Sequence, residues 1–457
     1  MLIESIEGII DNYSILCYNK YIMLDIPSVK VLEAFKPENA GKGEELLVYG
    51  GLMSAIERYK ESHNDRSQRV WDSEVDSLGE LSAAQELAKD YLLQTSGKLV
   101  DSDEKNRDLW ASRFTEASIE LYGAPEKKEA TSLLREEYNL LNNLKDANGV
   151  SQGIVNYLIT TYEKIIPTDA EAVEVSNKDA ERMAIEKYGQ AITGKYQQLF
   201  NLVDESESED FDAAKLKELF ITSLEWLKDN DDKEWEEWKI VEVDGTTVSV
   251  NASKKEIKLP SRREAASKQD ARGLIAHELL VHALRAKNGY KTGVKELATG
   301  VAGYLDAEEG LGILAEDAVN GELPEKAYDR YLDIALALGT IDGVQISRKE
   351  LFKISLARQT VRAQIKGTFE ETQLPSMEKR VWTHIDRIYR GGTGDANGIK
   401  QAIFTKDIAY YVGYKKMAEY ITAKLASGDS VETIFTFLSQ GKFDPNNDKH
   451  LEKLNNR

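Results

Sequence analysis

The stretch AHELLVHALRAKNG, residues 276–289, places His277, Glu278 and His282 close together in a chain that has five histidines in all. Its apolar residues recur at helical intervals. On an ideal α-helix, at about 100° per residue, two histidines five apart point roughly 140° away from each other. In the shorter pattern His-Glu-x-x-His the histidines stand four apart, share a helix face and hold zinc, with the Glu as general base. The longer stride leaves two readings. Either His277 and His282 are ordinary helix residues, one packed and one exposed, or the helix widens into a π-bulge between Glu278 and His282, over Leu279 to Val281, and the imidazoles realign. Such bulges are rare and tend to mark functional sites.

If the imidazoles do realign, the residue types suit one chemistry. Neutral imidazole is a good zinc ligand, and catalytic zinc keeps three protein ligands and an open position for water. An adjacent Glu accepts the proton of that water and passes it to a leaving amine, and Glu278 occupies the position of that base. Cys17 is the only cysteine, which excludes a disulfide framework and a thiolate cluster, so any metal must be held by His and carboxylate. The nearest candidates are Asp306, Glu308 and Glu309 in YLDAEEGLGILAED. In a helix starting near Asp306, Ala307, Leu311, Leu314 and Ala318 form the apolar face. Glu308 lies closer to that face than Glu309, so the helical wheel favours Glu308. Acidic residues at a helix start also suit the helix dipole without any metal. Arg285, three beyond His282, either pairs with a carboxylate of the site or favours the helix C-terminus. Arg390 and Lys406 read, unaided, as a surface arginine and part of a capping ion pair with Asp407, and His384 reads as an exposed helix residue.

The rest of the chain predicts a mainly α protein with a small β-ribbon, an α+β class. Apolar residues at three- and four-residue intervals recur through residues 28–230, as in GGLMSAIERYKESH, AAQELAKDYLLQTSG and EATSLLREEYNLLNNLKDA. WKIVEVDGTTVSVNASKKEIKLP, residues 238–260, alternates apolar and polar residues, and Asp244-Gly245 suits a tight hairpin turn. Gly289 is placed to stop the helix of the two histidines. Three regions are expected: a helical N-terminal region, 1–235; a catalytic domain, 236–440; and a frayed tail, 441–457. The acidic run DESESEDFD reads as a solvated loop. A formal net charge of −20 argues against nucleic acid or an anionic membrane as partner. No apolar run is long enough to cross a membrane, and the first residues read poorly as a signal peptide, so a cytoplasmic location is expected.

TVSVNASKKEIKLP, HELLVHALRAKNG, DAEEGLG and RIYRGG followed by FTKDIAYYVGY, in this order, together with FTEASIELYGAPE upstream, resemble the QEGLA-motif proteins of bacteria and their eukaryotic relatives, the microtubule-associated tyrosine carboxypeptidases (MATCAP). The resemblance covers roughly residues 60–430. It implies a zincin-like metallopeptidase that uses Zn2+ and releases one residue from a polypeptide C-terminus. Carried over by position, His277 and His282 are zinc ligands and Glu278 the general base. The Glu before Gly in the motif is Glu309, which becomes the third ligand, with Glu308 as the alternative. The resemblance also makes Arg390 and Lys406 candidates for holding the terminal carboxylate of the substrate, Tyr411 a hydrogen-bond donor and Arg285 a support. This chain has EEGLG where QEGLA or EEGLA is usual, a change expected to touch no ligand. Its acidity argues against carrying over acidic tubulin tails as the substrate. Two other functions remain open: a metal-binding regulatory protein that does not hydrolyse, and a zinc amidase acting on small molecules.

Overall fold

The computed structural model describes residues 104–167, 178–322, 325–370, 374–390 and 401–455, with isolated positions 88, 89, 92 and 372. The helices expected within 50–63 and 83–97 lie outside the described residues, those isolated positions apart.

The described chain is mostly helical. Three helices come first, α1 (Glu104–Tyr122), α2 (Lys127–Asn143) and α3 (Gln152–Ile165). Each forms for the reason legible in its sequence. In α3, Ile154, Val155, Leu158, Ile159, Tyr162 and Ile165 line one face, and all are buried. Next come α4 (Lys178–Lys195), α5 (Gln197–Asp204), a two-residue strand β1 (Asp210–Phe211) and α6 (Ala213–Asn230). Asp212 caps α6, accepting the Lys215 backbone N–H at 2.9 Å. The acidic run before it is mostly exposed, with Phe211 buried.

The β segment comprises β2 (Lys239–Val243), β3 (Ser249–Asn251) and β4 (Glu256–Pro260). The expected hairpin at Asp244-Gly245 does not form. β4 lies between the other two strands, parallel to β2 and antiparallel to β3. The tight turn falls instead between β3 and β4, where Asn251 accepts the Lys254 N–H at 3.0 Å and Lys255 takes a left-handed conformation, φ 53°. Alternation along the segment identified strands but could not tell which two were neighbours. A last short strand, β5 (Ala266–Ser267), pairs with β1 and leads into α7 (Lys268–Leu274), capped by Ser267.

After α7 the chain runs without a break through a π-helical segment, Ile275–Ala283, into α8 (Leu284–Lys291). Gly289 does not stop this helix. A Cβ there would lie 2.1 Å from the Leu297 carbonyl oxygen, so Gly289 serves close packing, and the turn comes at Gly293, φ 77°. There follow α9 (Lys295–Thr299), α10 (Leu305–Ala318), α11 (Glu325–Leu338), α12 (Arg348–Ile365), α13 (Leu374–Ile388), α14 (Ile408–Ala426), α15 (Val431–Leu438) and α16 (Asp448–Asn455). α10 and α14 cross in backbone contact: a Cβ on Gly310 would lie 1.9 Å from the Gly413 carbonyl carbon.

One apolar core runs through both halves of the described chain, joining Phe114, Leu134 and Leu158 to Leu279, Leu314, Trp382 and Tyr414. A buried ionic network ties α2, α11, α12 and α13 together. Arg358 pairs with Glu137, Asp329 and Asp333, and Asp333 also accepts from Ser355 at 2.6 Å. His384, expected to be exposed, instead lies 3.0 Å from Asp333. The segment expected to fray is packed. Phe443 and Leu454 bury with Leu297 and Val301, and His450 accepts the Asp444 N–H at 2.9 Å while its other ring nitrogen lies 2.9 Å from the Ala302 carbonyl oxygen. Among the described residues no helix is long and apolar enough to cross a membrane.

Candidate metal centre and active site

The π-helical segment is where the histidine stride demanded a wider turn. The extra residue is absorbed across Ile275–Ala283, and His277 and His282 then face each other edge to face, with ring centroids 4.7 Å apart. A regular α-helix would have turned them apart. Both imidazoles are almost buried, and both Nε2 atoms lie 3.9 Å from Glu309 Oε2. One ligand atom from each of the three residues lies within 4.8 Å of the others. Ligands of a tetrahedral ion held at about 2.1 Å stand roughly 3.4 Å apart, so the donor set would close by about 0.5 Å at Glu309 and by no more than about 1.4 Å at its widest separation.

Glu308 and Glu309 separate by one helical step of α10. Glu308 is the more buried of the two, as the wheel implied, but its carboxylate is already engaged behind the site. It accepts from His282 Nδ1 at 2.8 Å, from Arg285, and lies 2.8 Å from Lys442 Nζ. Burial alone would raise its pKa, yet Lys442, Arg285 and His282 hold it well below the ordinary carboxylate range. Glu309 has a partly exposed side chain and faces the imidazoles. His277 has a carboxylate behind it too: its Nδ1 lies 3.2 Å from Glu316 Oε2, and Glu316 Oε1 accepts from Lys326 at 3.0 Å. A neutral ring that donates Nδ1–H backwards to its carboxylate would present Nε2 on the side of Glu309, the tautomer a metal ligand needs.

Glu278 lies beside the pair and is buried. Its Oε2 has no hydrogen-bond partner among the described residues. Burial raises its pKa, and the charges of Glu309 and Glu316 add to that against the two histidines. A carboxylate poised in this way is a general-base candidate with a stated cause. Burial works to lower the pKa of His277, but the bond to Glu316 and the charges of Glu278, Glu316 and Glu309 outweigh it and bring the ring up to about 9.

The remaining predicted residues divide. Arg285 is fully buried, pairs with Glu308 and donates to the Phe443 carbonyl at 2.7 Å, which places it behind Glu308 and away from solvent. Lys406 comes near Glu309, and Arg390 lies near Lys406. Burial lowers the pKa of Lys406 while Glu309 and Asp407 act to raise it, and burial lowers that of Arg390 against Asp407. Tyr411 does not face the site. Its hydroxyl bonds Glu129 and its ring packs 4.4 Å from that of Tyr331. Its neighbour Tyr410 is the residue on the site's side. Burial raises its pKa, and Glu309 is the charge that adds most to the shift. Arg330 stacks over the Tyr410 ring at 4.0 Å.

Four contributors were not assigned from the sequence. Glu316 had a usable signal, because it stands seven residues after Glu309 on one helix and so shares its face. Arg387, which donates to Asp407 at 2.7 Å, lies inside the RIYRGG motif. Arg330 and Lys442 had none, since each arrives from an element whose placement is purely tertiary. The Gly that ends EEGLG lies close to a candidate ligand: a Cβ on Gly312 would lie 2.7 Å from His277 Nε2.

No curated protein and no solved structure matches the chain. The family match covers about a third of the chain and contains both motif helices, while Arg390, Lys406 and Tyr411 lie beyond it. Residues 179–329 match the model of the microtubule-associated tyrosine carboxypeptidase family, MATCAP, which is the family that the motifs resemble.

Proposed function

We propose that this protein is a zinc metallopeptidase that removes a residue from a polypeptide C-terminus. The observation that carries the reading is the convergence of His277, His282 and Glu309 within 4.8 Å, next to a buried Glu278 with one unpartnered oxygen. Two imidazoles and a carboxylate are a donor set suited to catalytic zinc, and zinc bound there would supply Lewis acidity to the scissile carbonyl and to a water.

The chain's own residues do the rest. Glu278 takes the proton of the attacking water at its free oxygen and returns it to the leaving amine. Glu308 and Glu316 hold the two imidazoles with Nε2 forward. Lys406 and Arg387, which feel the charge of Glu309, and Arg390, which neighbours Lys406, make a cationic wall suited to a terminal carboxylate. Arg330 extends it over Tyr410. This wall is a local positive patch on a chain of net charge −20, and it favours a carboxylate-bearing substrate where the overall field does not. The description of the matched family, a tyrosine carboxypeptidase, supports the same class of reaction. The orphaned oxygen of Glu278 speaks against a purely regulatory metal site, which has no use for a base.

The test is incubation of the full chain with peptides varied at their last two positions, read by mass spectrometry with and without a chelator. Chelator-sensitive loss of one C-terminal residue supports the reading. Internal cuts would redirect it to an endopeptidase, and turnover of small amides alone would redirect it to an amidase.

A further inference from the structure

The chain from Lys442 into α16 forms a strap behind Glu308. Lys442 pairs by its backbone with α9 and the turn after it: its N–H donates to the Leu297 carbonyl at 2.7 Å, and its carbonyl accepts the Val301 N–H at 3.2 Å. Its ammonium then lies 2.8 Å from Glu308 Oε1, the same oxygen that lies 2.8 Å from His282 Nδ1. One residue on, the Phe443 carbonyl accepts from Arg285 at 2.7 Å, and Arg285 pairs with the other oxygen of Glu308. The strap thus bears on both oxygens of the carboxylate that orients His282. His450, on α16, locks it in place. The ring is buried; its Nδ1 accepts the Asp444 N–H at 2.9 Å, and its Nε2 lies 2.9 Å from the Ala302 carbonyl, to which it donates. A ring that accepts at Nδ1 is neutral, and burial holds the His450 pKa below the ordinary histidine value. One side chain therefore joins the strap to the turn that feeds α10. That turn is built on Gly300 and Gly303, at φ 112° and 81°, and glycine lends it little stiffness of its own.

We infer that His450 is a positioning residue for the metal site: it fixes the strap, Lys442 and the Phe443 carbonyl hold Glu308 and Arg285, and Glu308 holds His282, so that metal affinity is set in part from α16. The inference rests on the metal-site reading above. His450 touches neither substrate nor ligand and acts only through the strap. Partners that orient a ligating imidazole typically cost 10–100-fold in metal affinity when lost. His450 stands further out than Glu308 and Lys442, so the low end of that range, roughly tenfold, applies to it.

The test is zinc affinity of the full chain, measured by competition with a chromophoric chelator, for wild type, His450→Phe, His450→Gln, Lys442→Met and the double variant of His450→Phe with Lys442→Met. Leu158→Ala, a core change on α3, is the control for lost stability, and thermal melts establish that each variant is folded. His450→Phe keeps a ring but neither hydrogen bond, and is expected to weaken zinc binding by roughly tenfold. His450→Gln, whose amide both accepts and donates, should recover most of that loss. The double variant should lose little more than the weaker-binding single variant, because both changes act on one strut. Coupling is reciprocal, so saturating zinc should slow hydrogen exchange of the wild-type strap, Lys442 to His450, by a similar factor of roughly ten. A strap that merely anchors the chain would show no such change. His450→Phe within about twofold of wild type overturns the inference, as does an equal loss in Leu158→Ala, losses that multiply in the double variant, or strap exchange that zinc leaves unchanged. The exchange measurement uses wild type alone, so it decides the question even if His450→Phe does not fold. If wild type takes up no zinc, the metal reading fails and the role of His450 with it; if wild type binds zinc and His450→Phe binds it equally well, only the role of His450 fails.

Discussion

Gly310→Ala tests how the fold sets the site. In α10 this glycine meets Gly413 of α14, and a Cβ would lie 1.9 Å from the Gly413 carbonyl carbon, 2.3 Å from the Tyr414 nitrogen and 2.4 Å from Gly413 Cα. Every one of these atoms is backbone, so no side chain can step aside. Reaching ordinary contact requires the helices to part by roughly 1.5 Å, in a core packed like an organic crystal. Overpacking of this kind costs about 1–3 kcal/mol or more. Against it stands the better helix propensity of alanine, about 1 kcal/mol. With no side chain able to yield, the upper end of that cost applies, for a net loss of about 2 kcal/mol. In a chain of this size each kcal/mol shifts Tm by about 1 °C, so a fall of roughly 2 °C is expected in calorimetry of the full chain. α10 carries Glu309, and the start of α14 carries Tyr410 next to Lys406, so zinc affinity and turnover should fall together with stability. An unchanged or raised Tm would show that the crossing is not in backbone contact, and would refute the account of why this motif carries glycine.

Other perturbations separate chemistry from scaffold. Glu278→Gln should keep zinc binding, measured by chelator competition, and abolish peptide turnover, whereas His277→Ala should lose the zinc; full activity of the Glu278 variant would sink the mechanism. Asp333→Ala removes a carboxylate shared by Arg358, Ser355 and His384 and leaves a buried guanidinium with one partner fewer, for an expected loss of about 3–5 kcal/mol in denaturant unfolding. Burial would raise the pKa of Asp407, but Arg387, Arg330, His384 and Lys406 hold it below the ordinary range. Its stabilising contribution is thus present above the unfolded value of about 3.9 and is lost as pH falls below it. Asp407→Asn should therefore flatten the acid limb of stability against pH below about pH 5, and an unchanged slope would count against the Arg387 pairing. Lys442→Met leaves Glu308 paired to Arg285 and His282 only, and should lower zinc affinity more than an exposed lysine change such as Lys326→Met.

What the local sequence could express, it expressed. Helical periodicity names one face of α3, Ser267 and Asp212 announce helix starts, and the five-residue stride of His277 and His282 required a widened turn because only about one extra residue per turn brings them to one face. The choice between Glu308 and Glu309 was beyond the helical wheel. Burial ranks the two correctly, but an inward carboxylate can serve a cation behind the site as well as a metal in front of it, and only the arrival of Arg285 and Lys442 beside Glu308 decides. The choice between Tyr410 and Tyr411 was open for a similar reason: neighbours on a helix face about 100° apart, and which of them lies toward Glu309 depends on how α14 crosses α10. The same holds for the strands, where alternation predicts β structure while the position of β4 between β2 and β3 is set by the connection. The sequence by itself determined the histidine helix, its widened turn and the donor types available to a metal, because those depend on spacing along one element. Tertiary structure decided which carboxylate faces the histidines, which cations lie near Glu309, and that Lys442 and Phe443 reach back to Glu308 and Arg285, because those depend on distances between elements that no local pattern encodes.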